Sequence, residues 1–276
     1  MIEKHNNKIF KIKELPYLEL KYSNSFYECS QKHYHNMLCI LALKNGNAKV
    51  IIEDKEILLE KDKLVIINPN EVHYSVLDKY SEDYYVIYID RTWYRSLQSL
   101  IFNTKDVIAL SNEIFDLQII EEFFNLFEYL YLDNEIIEKE SKLLEFLNRI
   151  FEKCIDESIV LKIDNTTQIA KKFKSYIEDN IASKLTLTQI SNALGFSPYH
   201  IIRICNQDFG LSANAYIVNK RVHRAKKMLG EGMDISQVAI EVGFYDQSHL
   251  TNIFKKVFAI TPKAYQNSVL KEKYNE

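Results

Sequence analysis

The chain has 276 residues, 47% of them hydrophobic and 26% charged, with a formal net charge of −3. That is enough for two domains of ordinary size. No stretch approaches the length of a membrane span and the start, MIEKHNNKIF, has no apolar signal core, so the expected location is the cytoplasm, with no membrane partner. The four cysteines, Cys29, Cys39, Cys154 and Cys205, make no CxxC pair, which suits free thiols in a reducing compartment better than disulfides or zinc ligation.

Between Lys21 and Asp90 short β-branched and aromatic runs alternate with turn signals. Met37 to Leu43 closes at Asn45-Gly46-Asn47, Ala48 to Ile52 and Glu56 to Leu59 flank the hairpin turn Asp54-Lys55, Leu64 to Ile67 ends at Asn68-Pro69-Asn70, and Tyr84 to Ile89 alternates. This spacing predicts a small β-barrel or sandwich. From Glu113 the period becomes helical. Ile114, Leu117, Ile120 and Phe124 share one face while Phe115, Ile119, Phe123, Phe127 and Leu130 crowd the others, which predicts a helix apolar almost all round, covered by the barrel on one side and a second subunit on another. A second helix carries Ile136, Leu143, Leu147, Ile150 and Phe151 in one stripe. The polar stretch 156–167 reads as a linker, so the expected organisation is one domain over 1–155 and a second over 168–276. Charge divides at the same place: from residue 168 onward 15 Lys and Arg face 9 Asp and Glu, whereas the first 167 residues hold 20 against 29.

In the C-terminal part, Gln189 to Tyr216 and Gln237 to Tyr265 repeat one pattern with seven identities, Gln189/Gln237, Gly195/Gly243, Phe196/Phe244, His200/His249, Phe209/Phe258, Ala215/Ala264 and Tyr216/Tyr265. Each copy is a short apolar helix, a Gly-Phe turn and a second helix, the pattern of a helix-turn-helix that reads double-stranded DNA. Thr186 and Gln189 predict a capping box, with Leu187, Ile190, Ala193 and Leu194 inward. Ser197 caps a helix with Pro198 at its first position. The spacing turns Ile201, Ile204, Cys205 and Phe209 inward and leaves Ser197, Pro198, Tyr199, Ile202 and Arg203 for a major groove, where Arg203 suits guanine. Ser212 to Leu229 predicts one linking helix of about 27 Å, near the ~34 Å of one DNA turn, with Arg221 and Arg224 among its phosphate-contact candidates. In the second copy Ile235, Val238, Ala239 and Val242 are inward. Gln247, Ser248, His249, Thr251 and Asn252 are the groove candidates, and Lys255 and Lys256 suit phosphates.

The candidate effector-binding residues are His33, His35, Glu71, His73, Tyr22 and Tyr88. In His33-Tyr34-His35 the two imidazoles share a face because strand side chains alternate, and Asn68-Pro69-Asn70-Glu71-Val72-His73 brings Glu71 and a third imidazole to the same barrel mouth. Phe26, Tyr27, Tyr34 and Tyr74 join Tyr22 and Tyr88 as possible walls, and such rings suit a carbohydrate.

HYH, Gly46 and INPNEVH resemble the cupin-type effector domain of the AraC/XylS regulators, and Ile235 to Tyr265 matches that family's second motif, IxxVAxxVGFxDQSHLxxxFKKxFxxTPxxY. The resemblance implies an α+β chain: a cupin-like β-barrel with following helices, then an all-α domain with two helix-turn-helix motifs. It also implies a small-molecule effector, a homodimer and activation through RNA polymerase. Asn252 stands where the family often has arginine. Metal-binding cupins carry a glutamate where this chain has Cys39 or Ile40, and their last histidine lies one residue further from the proline, so the expectation is no metal, no cofactor and no catalytic residue. A cupin metalloenzyme fused to a DNA-binding domain, and a regulator that needs no ligand, stay open as alternatives.

Overall fold

In the computed structural model, which describes residues 7–23, 29–77, 82–103, 107–161 and 167–274, the first-half runs become strands. These are β1 (Lys8–Lys11), β2 (Leu18–Ser23), β3 (Met37–Asn45), β4 (Ala48–Ile52), β5 (Lys55–Leu59), β6 (Leu64–Ile67), β7 (His73–Leu77) and β8 (Glu82–Asp90), followed by β9 (Val107–Leu110), β10 (Glu113–Ile114) and β11 (Ile155–Leu161). Helix α1 (Arg91–Phe102) follows β8, and α2 (Leu117–Tyr131) and α3 (Ile136–Cys154) lie between β10 and β11. The strands pair antiparallel in the order β1-β2-β8-β3-β6-β10, with a second sheet β5-β4-β7 and the pair β11-β9. Gly46, at φ 82°, makes the turn between β3 and β4.

Alternation decides what each face of the large sheet does. Cys39, Leu41, Leu43, Val65, Ile67 and Val86 meet Ala48, Val50, Ile52, Ile57 and Leu59 of the small sheet, forming a barrel-like interior. The opposite parity, including Leu18, Leu20, Tyr22, Leu38, Ile40, Tyr85 and Ile87, packs against α1 to α3. Two expectations change here. Ile114 lies in β10, Phe115 and Leu117 are 68% and 71% exposed, and the buried residues of α2 are Ile119, Ile120, Phe123, Leu126, Phe127 and Leu130. The helix is therefore amphipathic, its apparent all-round apolarity having come from Ile114 and Phe115, which precede it, and from Leu117, exposed at its first position. Residues 156–161, read as the start of the linker, belong to a strand that begins at Ile155 and pairs with β9, which accounts for their lack of helical periodicity. Phe26, Tyr27 and linker residues 162–166 lie outside the described residues.

The second half is helical: α4 (Gln168–Asp179), α5 (Leu187–Leu194), α6 (Pro198–Phe209), α7 (Ala213–Gly230), α8 (Ile235–Glu241), α9 (Gln247–Phe258) and α10 (Pro262–Tyr274). Thr186 and Gln189 form the capping box of α5, Gly195 ends it at φ 72°, Ser197 caps α6 with Pro198 in its first turn, Ser212 caps α7, and Asp234 and Asp246 cap α8 and α9. On α5 the apolar stripe centres on Leu187, Ile190 and Leu194. Ser191 therefore fits its inner edge, buried, and Ala193 is exposed instead of inward. Each motif has its own core, and each core takes a side chain from the sheet half: Val72 joins Ile190, Ile201 and Cys205, and Ile9 joins Val238, Leu250 and Phe254. Cys39, Cys154 and Cys205 are buried, Cys29 is half-buried, and all four are free.

Candidate nucleic-acid interface and ligand cavity

The two recognition helices show the same division of labour. On α6, Ile201, Ile204 and Cys205 are buried, while Ser197, Pro198, Tyr199, Ile202 and Arg203 face out, Tyr199 at 76% and Ile202 at 41% exposure. On α9, Leu250, Phe254, Val257 and Phe258 are buried. Gln247, Ser248, His249, Asn252 and Lys256 are exposed, and Thr251 and Lys255 are half-buried. The repeated histidines pack on the repeated phenylalanines, His200 5.4 Å from Phe196 and His249 5.2 Å from Phe244 between ring centroids. Those identities thus brace each turn.

On α7, Arg224 is exposed, but Arg221 is half-buried and turned inward. Its Nε and NH2 donate to the carbonyls of Ile181 and Ser183 at 3.0 and 2.6 Å, so the guanidinium ties the α4–α5 turn to α7. We expect Arg221→Ala to destabilise the domain by about 2 kcal/mol, since hydrogen bonds from charged donors contribute roughly 1.5–3 kcal/mol. The salt slope of DNA binding should stay unchanged. Urea unfolding and titration at several salt concentrations check both.

The effector candidates divide as strand parity requires. His33 and His73 exchange backbone hydrogen bonds at 3.0 and 2.8 Å, and their rings lie 4.3 Å apart, with His35 4.7 Å from His73 and Tyr88 edge-on to His35 at 5.5 Å. Burial, with the neighbouring imidazoles adding repulsion, holds His33 and His35 well below the usual histidine range. Burial lowers His73 to about 4, so all three are neutral at physiological pH. Glu71 does not join them. It accepts from the backbone and side chain of Asn68 and from Asn112, bracing the 68–71 turn. Tyr22 shares the parity of Leu18 and Leu20 and faces the helices, its hydroxyl on Asp83.

His33, His35 and Tyr88 open into a cavity of about 610 Å³ between the two halves of the chain. Its walls hold four lysines, Lys11, Lys21, Lys226 and Lys227, against three acids, Glu19, Asp90 and Glu231, beside the apolar Ile9, Leu18, Val257 and Phe258. Sequence reasoning missed most of these. Glu19 and Lys21 were signalled as polar residues alternating with apolar ones in LELKY. His223 and Lys226 of α7 gave no sign of facing the sheets. Lys226 pairs with Glu19 at 2.5 Å. Lys21, 2% exposed, donates to the carbonyl of Phe258 in the last turn of α9 at 2.9 Å and has no ion pair among the described residues. Asn7 donates to the Ala259 carbonyl, and the Gln31 amide to that of Lys256. The sheet half therefore caps the C-terminal end of the second recognition helix, whose last carbonyls have no partner within the helix.

A cavity between a sheet half and a helical half, the latter exposing polar residues on a repeated pair of helices, is the architecture of a DNA-binding regulator with a ligand-binding domain. The model of the AraC-like ligand binding domain matches residues 19–147, and that of a helix-turn-helix domain residues 190–268. The multiple antibiotic resistance protein MarA of Escherichia coli is 33% identical over 92 residues, 33% of this chain and 72% of that protein. The HTH-type transcriptional regulator YbfI of Bacillus subtilis is 24% identical over 220 residues, 79% of this chain and 80% of that protein. The solved structure of apo ToxT from Vibrio cholerae superposes with a TM-score of 0.62 at 14% identity, covering 94% of this chain and 99% of that one. The chain belongs to the AraC family of DNA-binding transcriptional regulators with an N-terminal ligand-binding domain. No helix among the described residues is long and apolar enough to cross a membrane.

Proposed function

We propose that the chain activates transcription in response to an amphipathic organic anion held between its two halves. The observation that carries this reading is Lys21: a buried ammonium that lines the cavity, has no carboxylate partner among the described residues and holds the last turn of α9. A buried cation without a counter-charge is costly, and a bound carboxylate offsets that cost while pulling on the α9 carbonyl. A ligand shifts the arrangement of the domains only through such differential contacts. A carbohydrate fits less well, because Tyr22 faces the helices and its hydroxyl is held by Asp83, away from the cavity. ToxT, similar in fold, has been solved with an unsaturated fatty acid bound. Activation through RNA polymerase and assembly as a homodimer belong to the same reading, with Phe115, Leu117, Leu132 and Ile137 giving exposed apolar surface beside α2 and α3 for a second copy.

The test is binding of a long-chain unsaturated fatty acid against a panel of sugars, with footprinting of the promoter. The acid should raise the melting temperature and alter the footprint, and Lys21→Met should weaken it about 10- to 100-fold, the loss of one charge-assisted hydrogen bond in a buried site. A sugar that shifts the footprint equally in wild type and Lys21→Met would overturn the reading.

A further inference from the structure

We propose that His33, His35 and His73 bind a divalent transition-metal ion of the zinc class, with His223 of α7 as a fourth imidazole, so that metal occupancy ties the ligand-binding half to the helices that carry DNA recognition. One ring nitrogen of each of the three lies within 4.8 Å of the others, and the three residues are 3%, 8% and 6% exposed. Each Nδ1 faces a backbone carbonyl two residues away: His33 that of Gln31 at 2.9 Å, His35 that of Met37 at 3.1 Å and His73 that of Glu71 at 2.9 Å. A carbonyl only accepts, so each Nδ1 carries the proton and donates it, and each Nε2 keeps a bare lone pair. This is the outer-shell arrangement that fixes tautomer and ring orientation in metal-binding histidines.

The donor count argues against an ordinary hydrogen-bonded cluster. Three imidazoles whose protons are already given to carbonyls have only acceptors left, and acceptors do not bond one another. His35 Nε2 is buried without a hydrogen-bond partner, and so is Nε2 of His223, which lines the same cavity as His33 and His35. A cation satisfies all of these lone pairs together. Neutral imidazole without carboxylate suits zinc, copper, nickel or iron and disfavours magnesium and calcium. Nitrogens around a tetrahedral zinc ion stand about 3.4 Å apart for bonds near 2.0–2.1 Å, so small ring rotations close the three-histidine set, and His223, which is outside that 4.8 Å group, moves in from the cavity wall to complete it. No glutamate follows HYH at the metal-binding cupin spacing, where Cys39 and Ile40 stand. The structure instead offers an imidazole from the other half of the chain, and Asn219, one turn before His223, donates to the Tyr34 carbonyl at 3.2 Å between the two histidines of HYH. The site stands whether or not an organic anion occupies the lysine side of the cavity.

The full chain, stripped with a chelator, should take up one equivalent of Zn²⁺ in calorimetry and none of Mg²⁺, and Co²⁺ should give the intense visible absorption of a tetrahedral nitrogen site. His73→Ala should lower Zn²⁺ affinity at least 100-fold. His223→Ala should lower it about 10-fold and remove any effect of Zn²⁺ on the footprint. The Co²⁺ spectrum of the unaltered chain decides the geometry even if a histidine variant misfolds. Absence of stoichiometric uptake, a weak octahedral Co²⁺ spectrum, or full affinity in a folded His73→Ala chain would overturn the site. The fatty-acid titration, run in chelator, fails or succeeds independently.

Discussion

Gly243→Ala is expected to cost the second helix-turn-helix about 2 to 5 kcal/mol, combining roughly 1–2 kcal/mol for a side chain in the left-handed region with 1–3 kcal/mol for overpacking. Gly243 sits at φ 83°, and a Cβ there meets the carbonyl oxygens of Ile181 and Ala182 at 2.8 and 2.9 Å and Arg221 Cζ at 2.9 Å. The Ile181 carbonyl does not yield cheaply, because Arg221 Nε already holds it. Gly195, the identical residue of the first repeat, has the same left-handed backbone at φ 72° but nothing within 4 Å of its added Cβ. Gly195→Ala should therefore cost only the backbone component, about 1–2 kcal/mol. Urea unfolding of the two variants gives the comparison. Equal losses would mean that the α4–α5 turn does not press on the second motif as the structure shows.

The same pair of glycines marks what the sequence reveals and what it conceals. Both were legible as the glycine of a Gly-Phe turn between two helices, because such a turn depends on a few neighbouring residues; so were Thr186 with Gln189 and Ser197 with Pro198. That one glycine is pressed against a distant turn was not legible, since residues 181 to 183 come near it only through α7. In the sheet half the runs from Met37 to Ile67 were read closely, whereas β1, β2, β7 and α1 were largely missed. LELKYS and HYSVL mix charge or hydroxyl with apolar residues and carry no turn signal at both ends. The ligand site was half visible. His33, His35 and His73 come together because a strand parity and a loop end brought them there, as expected. Tyr22 failed by one step of parity, Glu71 because its asparagine neighbours hold it, and His223, Lys226 and the cavity itself because they exist only where two halves dock.

Replacing both Arg203 and Gln247 by alanine is expected to weaken operator binding by about 4 kcal/mol, roughly a thousandfold, since each good base contact contributes about 1–3 kcal/mol and distant sites add. Both side chains stand on exposed faces of α6 and α9, each beside a histidine that braces its turn and away from the cores. Their helices are joined by α7, 18 residues from Ala213 to Gly230, a rod matched to successive major grooves on one face of a duplex. Additivity is the informative part. If both helices dock on one operator, each single variant relaxes a different base position and the double variant loses the sum. If only the first motif reads bases, Gln247→Ala leaves operator affinity unchanged and the double variant behaves as Arg203→Ala alone. Asn252, with an amide where relatives in this family often carry arginine, makes the second helix the sharper test: its contribution then rests on Gln247 and on thymine or adenine contacts. Lys256→Ala, at the far end of the same helix, should weaken specific and random DNA alike and lower the salt slope by about one. Binding curves on operator and random duplex at several salt concentrations distinguish base reading from phosphate contact along a single helix.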